Sequence, residues 1–234
     1  MRYGKIVPGI FFSRPNRFVA MVEPQGEPLQ AVHVKNTGRC RELLQPGARV
    51  YLEQSANPDR KTKYSLVAVE KGGALINMDS QASNKAAGEW LASHILPGRD
   101  QLPVKIRPEY THGKSRLDFC LEYSDRSRTL VEVKGVTLER EGVLYFPDAP
   151  TQRGVKHLEE LAGALDQNTR CAVLFVGQMK GVTAFRPNRE THPQFAEALC
   201  RAAAAGVQVL CYDCIVTPET MELDAPVKVE LEKD

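Results

Sequence analysis

Two carboxylates and a lysine lie on neighbouring predicted strands near the middle of the chain. Asp118 lies in SRLDFCLEY, whereas Glu132 and Lys134 lie in TLVEVKGVTL. Alternate residues of a strand share a face, so Glu132 and Lys134 point the same way and Asp118 lies on the more polar face of its strand. Two carboxylates can hold Mg²⁺ (or Mn²⁺), and a lysine can orient an attacking water beside a phosphate. The pattern predicts a metal-dependent catalytic site, with Asp118 and Glu132 as metal ligands.

The two strands are joined by residues 124–128, which is short enough for an antiparallel hairpin. A turn centred near Arg126 would place Asp118 opposite Lys134 and Cys120 opposite Glu132, on one face. The alternative interpretation is a surface ladder of salt bridges across the hairpin, which needs no metal and contributes little stability.

Residues 1–79 contain short β segments separated by turn residues. The turns are RPN, PQGEP, QPG and NPDR, and about five strands lie between them. This spacing predicts a small OB-like β-barrel as the first domain.

From Ser80 onward the pattern changes, and residues 80–234 form the second predicted domain. A helix is expected in QASNKAAGEWLASHIL, followed by three strand-like segments, a helix in TQRGVKHLEELAGAL and the buried strand CAVLFVG. A last helix, from about Pro193 to Ala205, precedes the strand VQVLCYDCIV. The predicted fold class is therefore α/β (α+β overall), with a mixed sheet flanked by helices.

Basic side chains near these elements are candidate nucleic-acid contacts. On the helix after Thr151, a plausible N-cap, the spacing of Arg153, Lys156 and His157 places them on one face, where they could hold a phosphate. With Phe18 and Tyr64 between them, the barrel's basic groups would suit a groove that tracks a phosphate backbone and stacks bases. The alternative is ordinary solvated loops and a solvated helix face. The remaining candidates are Arg14, Arg17, Arg39, Arg60, Lys61, Lys63, Lys114 and Arg116.

Composition excludes several classes of protein. The formal net charge is +2, so only clustered charge argues for nucleic acid, and no apolar stretch approaches the length of a membrane span. The N-terminus lacks the continuous apolar core of a signal peptide. Six dispersed cysteines favour a reducing cytoplasm. Cys211 and Cys214 are spaced like zinc ligands, but strand alternation sends them to opposite faces and no second pair follows.

Longer segments resemble a known family. HVKNTGRCRELLQPG, NPDRKTKYSL, YTHGKSRLDF, LVEVKGVTL and YFPDAPTQRGVKHLEEL are similar, in order and spacing, to the sugar fermentation stimulation protein A (SfsA) family. Asp118 followed by Glu132 and Lys134 also resembles the PD-(D/E)xK nuclease motif. The resemblance runs through nearly the whole chain.

The resemblance implies an OB-like domain followed by a PD-(D/E)xK nuclease-like domain, and DNA binding with little sequence preference. It adds Glu89, on the first helix, as a further acidic catalytic residue. Three hypotheses remain open: a Mg²⁺-dependent nuclease, a non-catalytic DNA-binding regulator linked to sugar (maltose) metabolism, and an RNA-binding protein, because OB-like grooves also accept single-stranded RNA.

Overall fold

A computed structural model describes residues 1–36, 38, 40–113 and 115–232. Six strands make up its first part: β1 (Ile6–Asn16), β2 (Val19–Pro24), β3 (Gln30–Val34), β4 (Arg49–Gln54), β5 (Tyr64–Lys71) and β6 (Ala74–Asn77). The first five close into a barrel in the order β1-β2-β3-β5-β4, because β3 pairs in parallel with β5, and β4 pairs with both β5 and β1. This is OB topology, and the predicted barrel is confirmed.

The second part contains the three described helices and the remaining ten strands. They are α1 (Ala82–Ser93), β7 (Lys105–His112), β8 (Ser115–Glu122), β9 (Arg128–Val136), β10 (Glu139–Arg140), β11 (Val143–Phe146), α2 (Gln152–Gly163), β12 (Thr169–Gly177), β13 (Ala184–Pro187), α3 (Pro193–Ala205), β14 (Gln208–Val216), β15 (Met221–Pro226) and β16 (Lys228–Val229).

The main sheet has the order β15-β14-β12-β9-β8-β7. Its centre is parallel, since β12 pairs in parallel with both β9 and β14, and its two sides are antiparallel. The predicted mixed sheet flanked by helices is confirmed. A second small sheet, β10-β11-β13-β16, was not predicted, because strands of two to four residues are too short to show a period in the sequence.

The helices cover opposite faces of the main sheet. On one face α1 packs Ala86 and Leu91 into a core with Val131 and Leu174. On the other, α2 and α3 pack against each other and join a core that includes Val173 and continues into the barrel. Cys211 and Cys214 lie in different cores and are not disulfide-bonded.

The two domains meet through a short connection and a buried polar network. Strand β6 ends at Asn77 and α1 begins at Ala82. Gln178 Nε2 lies 3.0 Å from Asn77 Oδ1 and 3.1 Å from the carbonyl oxygen of Asp79. The Asp79 carboxylate in turn pairs with Lys35 Nζ at 3.0 Å. Residues of both domains therefore satisfy one another's buried polar groups. None of the described helices is long and apolar enough to cross a membrane.

Candidate functional site

The hairpin of β8 and β9 brings the predicted trio together in a register different from the predicted one. Phe119 pairs with Val131 and Cys120 with Leu130, so the turn centres on Asp125 rather than Arg126. The predicted pairing of Asp118 with Lys134 is therefore wrong by two residues. The tight turn is the physical reason: Arg126 has a positive φ of 67°, and its N–H donates to the Tyr123 carbonyl. A shift of two residues keeps every side chain on its face, so the trio still converges.

Both oxygens of the Asp118 carboxylate accept a hydrogen bond. Oδ1 accepts from Asn84 Nδ2 on α1 at 2.7 Å, and Oδ2 accepts from the backbone N–H of Val133 at 2.7 Å. Burial raises the pKa of Asp118, and the neighbouring charge of Glu132 raises it further, although the two donors act in the opposite direction. Asp118 is thus held in one orientation beside a second carboxylate.

Glu132 is almost fully buried and receives two charge-assisted hydrogen bonds on one oxygen. Oε1 accepts from Lys134 Nζ at 2.5 Å and from His157 Nδ1. Burial by itself would raise the pKa of Glu132, but the hydrogen bond from His157 and the positive charge of Lys134 outweigh it, so the pKa is lowered. Glu132 is therefore an ionised carboxylate at neutral pH.

Helix α2 positions His157 for this contact. Thr151 caps the helix by accepting from the N–H of Gly154 at 3.0 Å. His157 Nε2 accepts from Arg153 Nε at 3.3 Å, and because arginine can only donate, the His157 proton lies on Nδ1, facing Glu132. Lys156, predicted on the same face, instead pairs with Glu160 at 3.6 Å and does not join the cluster.

The second oxygen of Glu132 has an orphaned lone pair. Oε2 is buried and has no hydrogen-bond partner among the described residues. A buried anionic oxygen without a donor is costly, and a cation would remove that cost. The part of the chain that the structure describes contains no group of three or more His, Cys, Asp or Glu side chains arranged to hold a metal ion. The donor set that fits Mg²⁺ or Mn²⁺ is thus the carboxylate pair alone, with solvent or phosphate oxygens completing the shell.

Glu89 does not belong to this cluster, and its assignment as a catalytic residue is corrected. Its carboxylate is 65% exposed and lies 2.6 Å from the amino group of Met1. It follows Asn84 by five positions, which in an α-helix is a rotation of about 140°, so the two side chains cannot face the same point. Asn84 is the α1 residue at the site. Sequence reasoning missed it, because an asparagine near a helix start is typical of a cap.

Several basic side chains of the barrel already have partners. Arg14 donates to the carbonyl oxygens of Asn36 at 2.6 Å and Gly38 at 2.8 Å, so it fastens a loop. Lys63 pairs with Glu27 at 2.6 Å, and Arg60 donates to Ser65 at 2.9 Å. Tyr64 is buried, which excludes it as the predicted surface for base stacking.

Other candidates lie on the surface. Arg17 stacks its guanidinium 4.9 Å from the ring centroid of Phe18, which is 46% exposed. Lys61 is exposed, and Arg116 pairs with Glu109 at 2.8 Å. Arg39 and Lys114, also predicted contacts, lie outside the described residues.

Comparison with known proteins agrees with this architecture in both domains. Residues 12–78 match the SfsA N-terminal OB domain, and residues 81–220 match the sugar fermentation stimulation protein RE domain. A sugar fermentation stimulation protein homolog of Desulfitobacterium hafniense (strain Y51) is 50% identical over 231 residues, 99% of each chain. A homolog of Clostridium beijerinckii is 47% identical over 224 residues, covering 95% of this chain and 96% of its own.

A solved structure is also similar over almost the entire chain. It is that of Pyrococcus furiosus SfsA in complex with Ca²⁺, with a TM-score of 0.85, 29% identity and 98% of each chain covered. Two family models match consecutive parts of this chain, and a relative is 50% identical to it over almost its whole length. This chain therefore belongs to the sugar fermentation stimulation protein family.

Proposed function

We propose that this protein binds DNA and hydrolyses a phosphodiester bond at Asp118, Glu132 and Lys134 with the help of Mg²⁺ or Mn²⁺. The observation that carries the proposal is the buried oxygen Oε2 of Glu132, which has no donor among the described residues. The negative charge of Glu132 also raises the pKa of Asp118, so the two carboxylates interact. The structure of the Pyrococcus furiosus relative is a complex with Ca²⁺, which supports the binding of a divalent cation by this protein.

Each side chain of the site has a distinct part in the proposed reaction. Asp118 and Glu132 would hold the cation, which supplies polarisation of the phosphate and of a water molecule. Lys134 is 16% exposed, so its ammonium can also donate to water or to a phosphate oxygen. Arg153 and His157 orient Glu132, since the His157 proton is fixed on the nitrogen that faces the carboxylate.

The barrel offers a surface for the rest of the nucleic acid. Arg17, Phe18 and Lys61 lie exposed on two of its loops, where cations can contact phosphates and the ring can stack on a base. These contacts carry no base-edge readout, so we expect little sequence preference.

Cleavage assays test the catalytic proposal. Purified protein should cut single-stranded, duplex or branched DNA with Mg²⁺ or Mn²⁺, and EDTA should stop it. Glu132→Gln keeps the shape of the side chain but removes its charge, and we expect at least a 100-fold loss of rate. Glu219→Gln removes a surface carboxylate that pairs with Arg2 and serves as the matched control. Equal cleavage by wild type and Glu132→Gln would assign the activity to a contaminant.

A second function is favoured by the lack of a third ligand. No group of three or more candidate metal ligands occurs among the described residues. A non-catalytic DNA-binding regulator, linked to sugar (maltose) metabolism, would need only the fold and its basic surface. Salt-dependent DNA binding without cleavage of any substrate would establish this alternative.

The same binding measurement distinguishes DNA from RNA as the partner. We expect tighter binding to DNA than to RNA of the same sequence at matched ionic strength, and the reverse order would contradict the proposal. We place the protein in the cytoplasm, because all six cysteines are free and a reducing compartment keeps them so.

A further inference from the structure

A cavity lies at the junction of the two domains, beside the proposed catalytic site. Its volume is about 150 Å³, which corresponds to about five water molecules. Its wall includes Gly135, Val136 and Thr137, the three residues that directly follow Lys134 along the chain at the end of strand β9. A ligand in this cavity would therefore lie next to a phosphate held at Lys134.

The wall has both aromatic and polar groups. The polar and aromatic residues that line it include Asn36, Ser80, Thr137, Tyr145, Asp148 and Gln178. Asn36 Oδ1 accepts from the N–H of Gly38 at 2.7 Å, which leaves its amide Nδ2 as a donor. The Asp148 carboxylate can only accept while it is ionised.

The backbone approaches the Asp148 carboxylate closely. A Cβ atom on Gly38 would lie 2.3 Å from Asp148 Oδ2, so a larger residue at position 38 would displace this carboxylate. Gln178, which also lines the cavity, connects the two domains through the carbonyl oxygen of Asp79. The cavity is thus preformed by packed elements of both domains.

These groups select one class of ligand. A carboxylate repels phosphate and other anions, so the ligand must bring hydrogen-bond donors. The flat ring of Tyr145 suits a planar ligand, whereas the Phe146 ring packs against Phe175 and Phe195 in the core. The Asn36 amide and the Asp148 carboxylate match the edge of a base that carries an amino group. Enzymes that do chemistry on a base show that a single base can leave the stack and enter a protein pocket of this kind.

We propose that this cavity receives one unstacked nucleobase with an exocyclic amino group, which donates to Asp148 while the adjacent phosphate lies at Lys134. The proposal rests on the proposed function, because it needs a nucleic acid at that site. It adds a preference for base type at one nucleotide to otherwise non-specific binding.

The test compares single-stranded oligo(dC) and oligo(dU) with the full-length protein, in Ca²⁺ at constant ionic strength. Cytosine has an amino donor at position 4 and a bare N3, whereas uracil has a carbonyl oxygen at position 4 and a single N–H at N3. We expect about tenfold tighter binding of oligo(dC). Asp148→Asn should remove this difference by weakening oligo(dC) binding and leaving oligo(dU) binding unchanged or slightly tighter. Glu219→Gln, which removes a distant surface charge, should keep the difference.

Two results would overturn the cavity assignment while leaving DNA binding intact. One is equal affinity of the wild type for the two oligonucleotides. The other is a dC preference that persists in Asp148→Asn, with circular dichroism confirming that the variant is folded. Binding of neither oligonucleotide, nor of any duplex, would instead refute the proposed function itself, so the two failures are distinguishable.

Discussion

The hydrogen bonds to Asp118 fix the orientation of its carboxylate, and so the direction in which its oxygens can bind a cation. Asn84 holds one oxygen and the N–H of Val133 holds the other. Donors that orient a ligand commonly change metal affinity by about 10- to 100-fold when they are removed. Asn84 is a neutral residue, so α1 orients the site without adding a third negative charge.

Replacing Asn84 should therefore weaken cation binding. We expect Asn84→Ala to reduce affinity for Ca²⁺ about tenfold in calorimetric titrations, because Asp118 loses one of its two donors. Glu89→Gln, on the same helix, should leave the affinity unchanged, since Glu89 contacts Met1 instead. If Glu89→Gln weakened binding as much as Asn84→Ala, the assignment of the helix residue would be wrong.

The carboxylate pair should cost the protein stability in the absence of a cation. Burial and the charge of Glu132 both disfavour ionised Asp118. Asp118→Asn should raise the free energy of unfolding at pH 7 in EDTA by on the order of 1 kcal/mol, as is usual when a destabilised functional group is neutralised. Urea titration measures the change. A less stable variant would show that the hydrogen bonds to the carboxylate outweigh the repulsion.

Among the elements, strand β9 makes a close approach to the domain junction. A Cβ atom on Gly135 would lie 2.4 Å from Gln178 Oε1 and 3.1 Å from Ser83 Oγ. Gly135→Ala should lower the free energy of unfolding by about 1–3 kcal/mol through overpacking. Gly163→Ala, at the end of α2 with no atom within 4 Å, is the matched control and should be neutral or slightly stabilising. Equal stability of the two variants in denaturant titrations would refute the close approach.

The turn between β2 and β3 is joined to β5 by Glu27. Hydrogen bonds from Lys63, Tyr64 and Gln30 hold the pKa of Glu27 at about 2, below its ordinary value of 4.5. A carboxyl whose pKa is lowered on folding stabilises the protein above the unfolded pKa, and this contribution disappears as the pH falls towards the folded pKa.

Glu27→Gln should therefore lower the melting temperature above pH 4.5, and the difference from wild type should vanish by about pH 2. Thermal melts followed by circular dichroism between pH 2 and 7 measure it. Glu23→Gln, in an exposed position of β2, should show no such dependence. A difference that stayed constant over the whole range would contradict the assignment.

Sequence periodicity predicts these elements better than it predicts their contacts. Strand alternation correctly predicts that Glu132 and Lys134 share one face. Pro193 and Gly206 correctly predict where α3 begins and ends. The hairpin register depended on one positive-φ residue, Arg126, which no period reveals. The choice between Asn84 and Glu89 depended on how α1 is rotated against the sheet, which tertiary packing determines. The contact of His157 with Glu132 joins residues of separate elements, and only the folded chain brings them together.

At the scale of the whole molecule, Gln178 connects the barrel to the α/β domain. Gln178→Ala should remove its bonds to Asn77 and Asp79 and cost about 1–3 kcal/mol. Trp90, the single tryptophan, lies in α1 and reports on the second domain, whereas circular dichroism reports on both. We expect the urea transition followed by Trp90 fluorescence to coincide with the one followed by circular dichroism in wild type. In Gln178→Ala we expect the two transitions to separate.

Gln208→Ala is the control for this experiment, because Gln208 donates to Pro97 within the second domain. Its two transitions should remain coincident. Coincident transitions in Gln178→Ala would show that the remaining contacts, such as that of Lys35 with Asp79, suffice to couple the domains.

The short connection from Asn77 to Ala82 has a mechanical meaning for any nucleic acid that touches both domains. With four residues between β6 and α1 and a buried network across the junction, the protein cannot close around its partner like a clamp. A nucleic acid that contacts both domains must therefore bend to fit the protein. The free energy of bending reduces the binding free energy, and it is larger for a stiffer nucleic acid. Nicked, gapped or mismatched duplexes, which bend at little cost, should be captured in preference to intact B-form DNA of the same sequence.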